Sequence, residues 1–103
     1  MSDNVIPAHL ANDKRWRALF HLFSNHDKLS QFFTTQYFDM KRSHVKVQLL
    51  RKASRAWSQS EKFMLSLALH CYNERNKVDL ADMDYLDANN TKLAFEALKI
   101  RYS

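Results

Sequence analysis

Residues 58–72 read SQSEKFMLSLALHCY, and the reading of this stretch decides the fold. Ser58 and Glu61 stand at capping-box spacing. The Ser58 hydroxyl is placed to accept from the amide of Glu61, and the Glu61 carboxylate to accept from the amide of Ser58. Placed about 100° apart, as in a helix, Lys62, Ser66, His70 and Asn73 fall in one narrow strip. Met64, Leu65, Leu67, Ala68, Leu69, Cys71 and Tyr72 cover most of the remaining circumference. A surface helix shows a narrower apolar face. The pattern therefore predicts a central, mostly apolar helix over about 59–73, with the rest of the chain arranged around it.

Composition agrees with that centre. The chain has 103 residues, 46% of them hydrophobic and 13% aromatic, which is one domain and far too apolar for intrinsic disorder. It contains no glycine and one proline, Pro7. Tight hairpins and phosphate-cradling loops usually rely on glycine, because a positive φ imposes a steric clash on other residues. The composition predicts helices joined by Asn, Asp and Ser turns, and argues against Rossmann and P-loop nucleotide sites. The expected fold is all-α: a compact single-domain bundle of about five helices. Residues 1–11 form an N-terminal arm and 12–103 the helical domain.

Upstream of the central stretch, Asn12 or Asp13 can cap a first helix running to about residue 24. Trp16, Leu19, Phe20, Leu22 and Phe23 share its apolar face. A second helix is expected from about Lys28, with Leu29, Phe32, Phe33, Gln36, Tyr37 and Met40 on a broad face. In 41–57 two periods compete. Val45, Val47 and Leu49 alternate as in a strand, while Val45, Leu49, Leu50 and Ala53 also fit a helix. A strand needs a partner and no second convincing strand is present, so a helix over about 43–55 with Ser43 as N-cap is expected. Downstream, Asp79 and Asp82 suit the start of a short helix that buries Leu80, Met83 and Leu86. Asp87 or Asn90 caps a last helix over about 90–102, expected to be innermost beside 58–73.

The formal charge of +5 is unevenly spread. Residues 41–62 carry Lys41, Arg42, Lys46, Arg51, Lys52, Arg55 and Lys62 against Glu61 alone, a net of +6. Residues 74–96 carry six acids and three bases, a net of −3. A dense basic segment attracts phosphates or acidic protein surfaces, unless the aspartates near 79–87 neutralise it.

Several constellations suggest chemistry and have plainer explanations. Ser66, His70 and Glu74 line one helical stripe, with the ingredients of a catalytic triad. Serine nucleophiles sit on strained turns beside oxyanion donors, whereas amides inside a helix are already bonded. A solvated or hydrogen-bonded stripe is expected instead. The run DLADMDYLDANN lacks the glycine and the terminal glutamate of a calcium loop, and helix capping accounts for its aspartates. The five histidines form no metal-binding spacing. Cys71, the single cysteine, is expected to be a buried structural thiol. A helix-turn-helix over 79–102 fails because its first helix is acidic and its second has few polar side chains for base edges.

The expectation is a small non-enzymatic binding or regulatory module without cofactor or metal. It would act through protein–protein contacts made by the basic segment 41–55, with an acidic partner or by self-association. The candidate contact residues are Lys41, Arg42, Lys46, Arg51, Lys52, Arg55 and Trp57, the last equally suited to the core. The alternative is nucleic-acid binding, with phosphates contacted by the same segment. No secretory signal and no run long enough to span a membrane is seen, so a cytoplasmic location is expected.

Overall fold

In the computed structural model, which describes residues 7–103, the aromatic face of the first long helix is the hub. The order of elements is α1 (Ala8–Ala11), α2 (Lys14–Asn25), α3 (Asp27–Ser30), β1 (Phe38–Asp39), β2 (His44–Val45), α4 (Val47–Ala53), α5 (Gln59–Tyr72), a 3-10 helix (Leu80–Tyr85) and α6 (Ala88–Tyr102). The fold is all-α apart from one two-stranded hairpin. Its radius of gyration is 12.7 Å, the size of a single domain of about 100 residues. The helices are more numerous than the five expected, and those at α3 and α4 are shorter.

α2 forms as its sequence dictates. The Asp13 carboxylate accepts from the amides of Arg15 and Trp16, and the helix buries Trp16, Ala18, Leu19, Phe20, Leu22 and Phe23. α5 and α6 both pack on this helix. α5 also forms as expected. Both halves of the Ser58–Glu61 capping box are made, and Phe63, Met64, Leu65, Leu67, Ala68, Leu69 and Cys71 are buried. The innermost pair is thus α2 and α5. α6 differs from expectation: it buries Leu93, Ala94 and Ala97, while Phe95 and Tyr102 are 59% and 57% exposed. Small residues on its inner face let it approach α2 closely, and its rings are left on the outside.

The second expected helix stops after one turn. α3 ends at Ser30, and turns carry the chain to β1 at Phe38. Neighbouring aromatics explain the break. Phe33 packs at 5.4 Å from Phe20 and 5.0 Å from Phe38, while Phe32 lies 5.0 Å from Trp57. A continued helix would hold Phe32 and Phe33 on one broad face; turns let them fill two different ring clusters. β-Branched Thr34 and Thr35 favour the non-helical path.

The expected helix over 43–55 is likewise replaced at its start. β1 and β2 pair antiparallel, with Phe38 opposite Val45 and Asp39 opposite His44. Phe38 and Val45 are both buried, so this cross-strand pair is the hairpin's inner face. The missing partner strand was the segment assigned to the end of the second helix. Ser43 is not an N-cap. It takes the left-handed position of the connecting turn, at φ 52°, a place where glycine is the usual residue. α4 begins only at Val47, and among the described residues no side chain caps its first turn.

Asp79 caps the 3-10 helix through the amide of Ala81, and Asp87 caps α6 through the amide of Asn90. Met83 and Leu86 pack on the core, but Leu80 is 55% exposed. In the N-terminal arm, α1 buries Leu10, and His9 Nε2 lies 3.2 Å from Ser43 Oγ of the hairpin turn. Val5 and Ile6, the other arm residues suited to docking, lie outside the described residues. Among the described residues no helix is long and apolar enough to cross a membrane.

Candidate functional site

The stripe of Ser66, His70 and Glu74 does not assemble a triad. The His70 ring bonds across the helix: Nδ1 lies 3.0 Å from the Asn76 carbonyl oxygen and Nε2 2.9 Å from the Tyr102 hydroxyl. A carbonyl only accepts, so Nδ1 donates to Asn76, while Nε2 and the Tyr102 hydroxyl share the second bond. Glu74 turns instead to Arg15, which forms a bidentate pair with it, and to Arg101 at 3.7 Å. The Arg15 guanidinium holds the Glu74 carboxyl down at about 2. His70 and Glu74 thus tie α5 to α6 and α2, a structural use of a triad-like spacing.

Cys71 is fully buried, and burial pushes its thiol up to about 11, far from a reactive thiolate. Among the described residues no three His, Cys, Asp or Glu side chains cluster as a metal would need.

The basic segment has a different character. Lys41 and Arg42 sit in the hairpin turn, Lys46 at the junction of β2 and α4, Arg51 and Lys52 in the last turn of α4, and Arg55 just beyond it. Lys41, Arg42, Lys46, Lys52 and Arg55 are exposed and Arg51 is half-buried. Arg42 pairs with Asp39, its Nε 3.8 Å from Oδ2. Arg51 donates from a terminal guanidinium nitrogen to the side-chain carbonyl of Asn76 at 3.1 Å, anchoring α4 to the turn after α5. Among the described residues Lys41, Lys46, Arg51, Lys52 and Arg55 make no ion pair, and neither do the aspartates of 79–87. Asp79 and Asp87 are engaged in capping backbone amides. The two segments of opposite charge therefore do not neutralise one another by contact.

Trp57 packs against the aromatic core. Its ring meets Phe32 edge-on at 5.0 Å, and Lys28 Nζ lies 5.7 Å from its centroid. It is a half-buried wall of the core at the entrance to α5, the second of the two roles its position suggests.

Beside the basic segment runs a groove of about 500 Å³. β2 and the first turn of α4 form one side, and the end of α5 with its following turn forms the other. Val47, Leu49 and Tyr72 supply apolar surface over buried Val45; Lys46 and Arg75 supply charge. Among the described residues that line it there is no carboxylate. Leu49 is 46% exposed. The carbonyls at the end of α5 do not point unmet into the groove. The Asn76 amide donates to the carbonyls of Leu69 and Asn73, and Arg101 Nε donates to that of Cys71 at 3.0 Å.

Arg75, Leu49 and Tyr72 were not singled out by sequence reasoning. The helical spacing puts Leu49 on one face with Val45, Leu50 and Ala53, but α4 buries Leu50 and leaves Leu49 exposed. Arg75 belongs to a turn that charge counting placed in the acidic half of the chain.

Comparison with protein-family models, with curated proteins and with solved structures found no match.

Proposed function

We propose that this chain is a non-enzymatic binding module that contacts an acidic protein partner through the basic surface of residues 41–55. The observation that supports this reading is the state of its cations. Lys41, Lys46, Lys52 and Arg55 are exposed and make no ion pair among the described residues; of the aspartates that could have neutralised them, Asp79 and Asp87 cap helices and Asp82 and Asp84 pair with no cation among those residues. Clustered like charges repel one another in the isolated chain, and an acidic surface relieves that repulsion. The neighbouring apolar groove favours protein over nucleic acid, since phosphate tracking needs charge alone. The location inferred for such a module is the cytoplasm, where a buried thiol such as Cys71 stays reduced.

The test is a titration of the whole chain with polyglutamate and with duplex DNA at low and physiological salt. It uses the wild type and Lys41→Glu/Lys52→Glu/Arg55→Glu, which alters three exposed positions. Salt-sensitive binding of polyglutamate that the triple variant abolishes is expected. Failure of polyglutamate to bind at low salt overturns the reading. Tighter, steeply salt-dependent binding of DNA, lost in the same variant, replaces it with phosphate recognition.

A further inference from the structure

The basic surface by itself would attract any polyanion. The groove beside it is selective, because charge and apolar area occur there together. We infer that the groove between the β2–α4 junction and the end of α5 is the specificity pocket of this surface. It seats an aliphatic side chain, of leucine type, carried in an acidic segment of the partner protein. This inference rests on the reading of the basic surface given above and names what that surface recognises.

Three observations carry it. First, the cavity of about 500 Å³ has the size of a side-chain pocket with adjoining main chain, within the range of small-ligand sites. Second, its apolar lining is mostly aliphatic. Val47, partly buried on the core, and Leu49, 46% exposed, supply it, with buried Val45 only as backing. Tyr72 contributes a ring that is already engaged, edge-on to Trp16 at 5.2 Å and with its hydroxyl 3.4 Å from the Val45 amide. Bases of single-stranded nucleic acid stack on aromatic faces in succession, and this groove offers one ring, already engaged by Trp16. Third, Lys46 and Arg75 stand on its two sides, both exposed, with no carboxylate among the described lining residues. The acidic ends of a segment would meet these cations while its apolar side chain covers Leu49. Arg51 and Asn76, joined at 3.1 Å, hold the two sides together, so the groove is largely formed before anything binds.

Two fluorescein-labelled peptides of equal negative charge test the idea, one with a central leucine among aspartates and serines, the other with serine at that place. Anisotropy titrations use the whole chain as wild type, Leu49→Ser and Lys46→Glu/Arg75→Glu, with folding checked by circular dichroism. Leu49 is nearly half exposed, so its change leaves the core intact. The wild type is expected to prefer the leucine peptide by about tenfold, the discrimination one buried aliphatic side chain supplies. Leu49→Ser should erase that preference while both peptides still bind. Lys46→Glu/Arg75→Glu should weaken both. Equal binding of the two peptides, or a preference that survives Leu49→Ser, overturns the groove inference and leaves the basic-surface reading standing. Absence of salt-sensitive binding by either peptide overturns both. Tighter binding of single-stranded DNA of matched charge than of the leucine peptide also overturns the inference.

Discussion

Leu49 and Leu50 are neighbours with opposite fates, and they show how much single residues carry here. Leu50 is fully buried and is the residue by which α4 is fixed to the core. Leu50→Ala is expected to destabilise the protein by about 2–5 kcal/mol, the range for an unfilled core cavity. Leu49→Ala should stay within about 0.5 kcal/mol, as surface changes do. Urea unfolding of the two variants checks the contrast. At the start of α3, buried His26 accepts the Leu29 amide on Nδ1 at 3.3 Å. Burial lowers its pKa below the ordinary 6.5, against the pull of Glu61, Asp27 and Asp87. The unfolded chain then takes up a proton that the folded one refuses, so stability is complete above about pH 6.5 and declines as pH falls below it. His26→Asn keeps a capping acceptor and removes the titration. Its melting temperature is expected to vary less than that of the wild type between neutral and mildly acidic pH. The Ser58 cap and the buried aromatic face of α2 were legible in the sequence because each depends on residues within a few positions of one another.

At the scale of elements, the hairpin is the feature local reasoning missed. Val45 and Val47 carried a strand signal, but the partner strand lay in a segment whose aromatic spacing also fits a helix. Alternating residues of one short strand say nothing about where a partner runs; only the Phe38–Val45 pair, buried together, decides it. Ser43 bears the consequence. A non-glycine residue at φ 52° tolerates no branching at Cβ without further strain. Ser43→Val is expected to cost about 1–2 kcal/mol, and Ser43→Gly to be neutral or stabilising. Thermal melts of both variants test this. Ser43→Gly is the discriminating change: at the N-cap of a helix it would cost about a few tenths of a kcal/mol rather than be neutral or stabilising. The hairpin also delays the start of α4 to Val47, and Leu49 in its first turn is exposed beside the groove.

At the scale of the molecule, Glu74, in the turn after α5, joins α2 and α6 through Arg15 and Arg101. Its folded pKa of about 2 lies below the ordinary 4.5, and that of Glu61 is lowered by the Ser58 amide it accepts. Both contributions are therefore present above about pH 4.5 and are lost as pH falls through the folded values. Acid unfolding should be shallower below pH 4.5 in Glu74→Gln than in the wild type, and high salt should shrink the difference because the pair is exposed. The charge map of the chain was legible in the sequence, as were the class of fold, the central α5, the caps at Ser58 and Asp79 and, each as one of two candidates, those at Asp13 and Asp87. These follow from composition and from patterns contained within a turn or two of helix, where backbone geometry is the same in any protein. Only the tertiary structure decided that α2 rather than α6 shares the centre with α5, that the basic and acidic segments do not pair, and that an apolar groove adjoins the cations. Each of these depends on residues far apart in the chain competing for the same space, and the spacing along a sequence does not contain that competition.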